Sequence, residues 1–390
     1  MKLTILQNKL KQGLTIVERI AGKNFSLPIL SNVLLRAEKN FLTLETTDLE
    51  IGIKYWVLAQ IEKPGLITVP VSVFSNLVRL LPEKPLDLAA DGQTLRLETN
   101  SHKTEIKGVS ADEFPIIPQE KNATILSLPS SSLCQALEQI SDIAISSPAR
   151  PEIAGILFLI QDRILKLVAT DSFRLAEKTL TLPKGSGGGE PVSFVLPQKT
   201  SREIINIFGS KDANIRGVPP SDQNEIRIYL GPNQVLFESI MAETDHPQVN
   251  LVSRLIEGEY PNYQEIIPDK HETQLVLDRS EFLRQIKLAS LFCGKISEIK
   301  LKINRKKEAL EIFSQNTDFG QFNSTLPCQV TGKEKELSFN YRFLYDGLSK
   351  IKSSEVIIEL SERNGEAGPG VLKPVGDSSY IYVLMPMQTS

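Results

Sequence analysis

The chain has 390 residues, 41% of them hydrophobic, and 44 Lys and Arg against 47 Asp and Glu give a net charge of −3. That length accommodates roughly two to four domains, each with its own core. No apolar run approaches the ~18 residues a membrane span needs, and the charged opening MKLTILQNKLKQGL speaks against a secretory leader, so the chain is expected in the cytoplasm. Cys134, Cys293 and Cys328 are scattered and odd in number, which predicts buried thiols rather than a disulfide or metal framework.

Read in chain order, the same unit occurs three times. Asn8 to Gly22 predicts an amphipathic helix with Leu10, Leu14, Val17 and Ile20 on one face. A strand pair starting at Leu27 and ending in Thr47-Asp48 follows, then a helix from Val73 after a proline, then the alternating segment QTLRLETN. The second unit has a helix from Ser130 to Ser147, a strand pair from Arg150 ending in Thr170-Asp171, a helix from Gln198 and the strand NEIRIYLG. In the third, a helix from Arg279 to Gly294 presents Phe282, Ile286 and Leu291, the strand pair from Ile296 ends in Thr317-Asp318, and a helix opens at Asn340 before EVIIELSE. Domain-sized spacing predicts three repeated domains rather than a solenoid.

Proline-flanked linkers set the expected boundaries. Glu113-Phe114-Pro115-Ile116-Ile117-Pro118 closes the first unit; Glu259-Tyr260-Pro261 with Ile266-Ile267-Pro268 closes the second. The domains are therefore placed at 1–122, 123–268 and 269–390, the central one carrying insertions near 185–190 and 240–250. Each is α+β: two helices packed on antiparallel sheets.

Catalytic parts are not apparent. His102, His246 and His271 lie in polar stretches with no ligand spacing around them, which predicts solvated histidines and no metal site. The glycine run 185–189 lacks the Gly-Lys-Ser/Thr of a phosphate cradle and reads as a linker. Asp48, Asp171 and Asp318 recur at strand ends and read as turn formers rather than acid/base groups. The expectation is a non-catalytic protein without cofactor.

Charge is unevenly spread. The six helical stretches together carry +8, which leaves −11 for the remainder. Basic helices facing a common polyanion, with acidic sheets facing solvent, would account for this, because non-specific phosphate contact needs only Lys and Arg on a surface. Two other readings stay open: a three-repeat peptide-binding scaffold that never meets DNA, and an enzyme with its site at a repeat junction.

The stretches Leu27-Pro28-Ile29-Leu30, Val168 to Ala176 (VATDSFRLA), Glu257 to Tyr263 (EGEYPNY) and Met385-Pro386-Met387, in this order over the whole chain, resemble the bacterial DNA polymerase III beta subunit, the sliding-clamp family. The resemblance implies the DNA-clamp fold and two chains joined head to tail as a homodimeric ring, with helices lining the hole and sheets outside. It implies double-stranded DNA bound without sequence preference, with Lys23, Arg79, Arg150, Lys199 and Arg202 as contacts. The implied partners are the replicative polymerase alpha subunit, the clamp-loader complex and other proteins with a clamp-binding motif; no membrane is involved.

By motif match, a hydrophobic peptide cleft between the second and third domains contains Ile153, Thr170, Phe173, Arg174, Leu175, Pro261, Ile266, Val383, Met385, Pro386 and Met387. Leu175 and Met385 are its expected anchors for a peptide with glutamine followed by leucine and phenylalanine. The dimer interface is expected where Thr104 and Ile106 meet Leu291 and Phe292 of a second chain. Two departures from the family pattern stand out. Ser172-Phe173 replaces Gly-His, and the last residues are Gln388-Thr389-Ser390 rather than Arg-Leu.

Overall fold

Six helices among the described residues come in pairs, one pair per repeat: α1 (Gln7–Val17) and α2 (Val71–Leu80), α3 (Ser130–Ile140) and α4 (Gln198–Phe208), α5 (Arg279–Ser290) and α6 (Tyr341–Lys350). The computed structural model describes residues 1–22, 27–118, 124–144, 150–183, 190–209, 225–242, 244–363 and 365–387. Three of the helices begin directly after a strand-ending proline, Pro70, Pro129 or Pro197, which stops the strand ladder and starts the turn. In the third repeat Asp278 and Asn340 take that position, and their side chains accept from Glu281 N and Arg342 N.

The apolar periodicity does its work where expected. Leu10, Leu14, Val17 and Ile20 are all buried against the sheets, as are Phe282 and Ile286. Burying each such side chain contributes about 1.5–3 kcal/mol. The first helix is shorter than the periodicity suggested: it ends at Val17, and Ile20 is buried from the turn beyond. Leu291 departs further. It follows the end of α5 and is 67% exposed, so it belongs to no core face.

Antiparallel sheets cross both internal junctions. Strand Ile51–Leu58 pairs with Pro247–Arg254, Ile53 opposite Leu251, within a continuous eight-stranded sheet. Strand Arg174–Thr181 pairs with Tyr380–Leu384, Leu175 opposite Val383, within a nine-stranded one. The two ends of the chain keep smaller sheets, one of five strands bordered by Lys103–Lys107 and one of four bordered by Gly320–Pro327.

Linker side chains fill the junctions. Phe114 and Ile117 pack with Leu34, Tyr229 and Val252 at the first, and Tyr263 packs with Leu157, Leu175, Val371 and Val383 at the second. The glycine run 185–189 lies outside the described residues. The stretch near 240–250 does more than lengthen a connection. His246 stacks on Phe41 at 3.9 Å and meets Trp56 edge-on at 5.7 Å, so it is packed across the first junction, contrary to the solvated reading.

Candidate functional site

The turn after strand Ile164–Thr170 organises the second junction. Thr170 Oγ1 donates to Arg174 O at 2.8 Å, and Asp171 Oδ1 accepts from Phe173 N and Arg174 N at 3.0 and 2.9 Å. Ser172 takes φ 76°, and the tight reversal turns Phe173 outward to 63% exposure. The first repeat builds the same turn, with Asp48 Oδ1 accepting from Glu50 N and Ile51 N. The third does not: Asn316 Oδ1 accepts from Asp318 N, Gly320 supplies the positive φ, and Thr317-Asp318 is exposed. Turn formation accounts for Asp48 and Asp171, while in the third copy the role passes to Asn316.

Arg174, only 8% exposed, ties two domains together. Its Nε donates to Asp171 Oδ2 at 2.9 Å and its Nη1 to Asp346 Oδ2, on α6, at 2.6 Å. Burial works against the guanidinium charge, yet Tyr382, Asp346 and Asp171 together raise its pKa above the ordinary value, so the cation is locked in place. The guanidinium lies 4.6 Å from the Phe343 ring centre, and Phe343 stacks on Phe173 at 6.3 Å. Tyr382 donates its hydroxyl to Phe343 O at 2.8 Å, and burial holds that hydroxyl well above its usual pKa.

Around this turn Thr170, Leu175 and Val383 are buried, while Phe173 is exposed and Met385 is 41% exposed. Met385 N donates to Phe173 O at 2.9 Å, and Met387 N to Ser338 O at 2.8 Å, which holds the Met385-Pro386-Met387 segment beside Phe173. Half-buried Ile266 packs against the same apolar cluster as Leu175 and Val383. Leu175 is 1% exposed, whereas Phe173 and Met385 present accessible apolar surface. Ile153 is buried in the short turn Pro151–Ile153. Exposed Pro261 lines a neighbouring recess of about 760 Å³, together with Leu157, Val195 and Tyr260, and that recess contains none of Leu175, Val383 or Met385.

Arg150 lies on no helix, and its Nη1 donates to Ser172 Oγ at 2.8 Å, beside the turn carrying Phe173. Arg79 on α2 and Lys199 and Arg202 on α4 are exposed helical cations as expected. Each has an acidic neighbour: Glu18, Asp48 and Asp142 respectively. Lys23 lies outside the described residues.

The interface candidates sit at the two ends of the chain. Ile106 is buried and Thr104 half-buried on border strand Lys103–Lys107, while Phe292 stacks at 6.1 Å on Phe322 of border strand Gly320–Pro327, next to exposed Leu291. Among the described residues no group of three His, Cys, Asp or Glu could hold a metal ion, and no helix is long and apolar enough to cross a membrane.

Gly347 on α6 lets Tyr382 approach. A Cβ there would fall 2.5 Å from two ring carbons whose hydroxyl is already anchored. Gly347→Ala is expected to lower the Tm even though alanine favours a helix by about 1 kcal/mol, because the ring has nowhere to go. Thermal unfolding checks this.

Comparison with known proteins bears on the whole chain. Residues 1–118 match the N-terminal domain of the DNA polymerase III beta subunit, 127–262 its central domain and 264–388 its C-terminal domain. The beta sliding clamp of Synechococcus elongatus is 28% identical over 392 residues, covering 100% of this chain and 99% of that protein, and that of Staphylococcus aureus is 28% identical with 93% of each covered. Among solved structures, the polymerase sliding clamp of Bacillus subtilis superposes with a TM-score of 0.89 at 24% identity, and a Pseudomonas aeruginosa sliding clamp bound to griselimycin with 0.88 at 23%, each covering 100% of both chains. With all three domains matched in order along one DNA-clamp fold, the chain belongs to the DNA polymerase III beta subunit family.

Proposed function

We propose that the chain is a sliding clamp, the processivity factor that encircles duplex DNA and tethers a replicative polymerase to it. The sheet arrangement carries this reading. Both internal junctions are spanned by continuous sheets of eight and nine strands, while the terminal sheets of five and four strands end on Lys103–Lys107 and Gly320–Pro327. Pairing these two borders between two chains would give a sheet as wide as the one at the second junction, and doing so twice would close a ring of six domains. Closure removes sheet edges that otherwise invite aggregation.

In that ring Thr104 and Ile106 lie at the seam with Leu291 and Phe292 of the second chain. The basic helices face the hole, where Arg79, Lys199 and Arg202 meet phosphates without reading bases. Topological linkage then replaces tight binding, and any protein docked on the ring stays near its template. Neither catalysis nor a cofactor is needed for this. Phe173, Met385 and the floor beneath them receive short peptides of the polymerase alpha subunit, the clamp loader and other clamp-binding proteins in the cytoplasm. Domain limits at 1–122, 123–268 and 269–390 fit the linkers.

The test is retention. The chain should run at the native mass of a dimer, and after loading stay on circular duplex DNA while being lost when that DNA is cut. A single-chain mass at micromolar concentration, or equal retention on both DNA forms, would overturn the reading.

A pH profile tests the groove itself. Phe173 stands where the family pattern has histidine, so peptide affinity should be nearly flat between about pH 5.5 and 8, whereas Phe173→His should introduce a dependence centred near about 6.5. The charged neighbours, Arg174, Asp171 and Asp346, are already committed to one another. Strong pH dependence in the unaltered protein would place the docking site elsewhere.

A further inference from the structure

The helical face carries its own counterions. Arg79 pairs with Glu18, whose Oε2 also accepts from Ser75 Oγ at 2.8 Å. Arg19 reaches Glu203 on α4 at 2.7 Å, and Lys199 pairs with Asp48, so both pairs join the first repeat to the second. Asp142, just beyond α3, stands between two cations: Lys350 of α6 at 2.8 Å and Arg202 of α4 at 3.7 Å. Lys350 Nζ also donates to Glu138 O at 2.8 Å, which binds the second repeat to the third.

These pairs share a physical character. The cations are partly or largely exposed, and pairs of this kind are worth only about 0–1 kcal/mol each. A phosphate can therefore displace the carboxylate at little cost. While the carboxylate remains, however, the cation neutralises no phosphate and releases no counterion from DNA. Glu203 and Asp142 also tie helices across the junctions, so the unloaded ring keeps these particular cations ordered and paired.

We infer that Glu18, Asp142 and Glu203 act as exchangeable counterions that hold down the affinity of the helical face for duplex DNA, so that phosphate contacts form and break as the ring moves. This rests on the sliding-clamp reading above and adds a role for acidic residues that the net basic charge of the helices conceals. A face lined by uncompensated Arg and Lys would grip the backbone; where Arg19, Arg79, Arg202 and Lys350 each stand beside a carboxylate, the contact trades partners instead. Asp142 has the largest share, since one carboxylate there restrains two cations from two domains.

The experiment compares the full-length protein with the triple variant Glu18→Gln, Asp142→Asn, Glu203→Gln. The amides keep hydrogen-bond acceptors for Ser75 and Lys350 while removing charge. Binding to a short linear duplex is measured by fluorescence anisotropy across a salt series. Tighter binding by about tenfold or more at low salt is expected, with the log–log salt slope steeper by about one unit per freed cation. Diffusion of the loaded ring along DNA should slow. A second variant, Arg79→Glu with Lys199→Glu and Arg202→Glu, separates the two ideas. If the amide variant binds no more tightly while the reversal weakens binding, the counterion role is overturned and the DNA reading stands; if neither changes affinity or slope, the DNA reading fails and takes the inference with it. Should the triple variant not fold, Asp142→Asn alone, at an exposed carboxylate, must shift affinity in the same direction or the inference is wrong.

Discussion

Replacing Phe173 and Met385 together by alanine is expected to weaken peptide docking by at least about a hundredfold while leaving the Tm unchanged. Both side chains are exposed, so their truncation opens no internal cavity. Recognition in such grooves concentrates in a few apolar anchors, each worth about 2 kcal/mol or more on truncation, and two of them suffice for that loss. Methionine suits the role because its flexible thioether adapts to different incoming side chains, and Phe173 is braced by the Phe343 ring and by Arg174 behind it. Leu175→Ala should behave differently. As a buried floor residue it should cost about 2–5 kcal/mol of stability, and its effect on docking should follow from the loosened floor. Titrating a labelled glutamine–leucine–phenylalanine peptide, with thermal unfolding alongside, distinguishes the two. If Leu175→Ala abolished docking without lowering the Tm, while the rim double variant bound normally, the assignment of floor and rim would be reversed.

What the sequence could and could not reveal follows the range of the interactions. Helices and strand pairs were legible because each is written in a local period, and Leu10, Leu14 and Phe282 fell on buried faces accordingly. The residues proposed for docking, Thr170 to Arg174 and Met385 to Met387, were picked out by contiguous motifs, and the structure brings the two segments side by side. Phe343 and Asp346 were not. They reach Arg174 only because Arg174–Thr181 pairs with Tyr380–Leu384, which brings α6 over a residue 172 positions away. An unusually aromatic α6, with Tyr341, Phe343 and Tyr345, was the available hint. The third Thr-Asp misled for the opposite reason: the dipeptide recurs, but Asn316 does the capping. The ion pairs of the helical face were invisible for want of any local signal, since Arg19 and Glu203 are 184 positions apart.

If two chains close the proposed ring, Leu291→Asp is expected to leave single chains at micromolar concentration without unfolding them. A leucine 67% exposed beyond the end of α5 contributes little to its own domain, so an aspartate there costs the monomer almost nothing. Beside it Phe292 stacks on Phe322 of border strand Gly320–Pro327, and the two aromatics with Leu291 form an apolar corner at the end of the four-stranded sheet. On the ring geometry that corner is buried against the border strand carrying Thr104 and Ile106. A carboxylate forced into it must either lose its water without a partner, at a cost of several kcal/mol, or keep the seam open. The proposed ring has two such seams and both would carry the substitution, which doubles the loss. Analytical ultracentrifugation should give half the parental mass, far-ultraviolet circular dichroism should be unchanged, and retention on circular DNA should vanish, because an open chain encloses nothing. Peptide docking at the proposed site around Phe173 and Met385, formed within one chain, should persist in the monomer. A dimer of normal stability carrying Leu291→Asp would show that the seam runs through another surface.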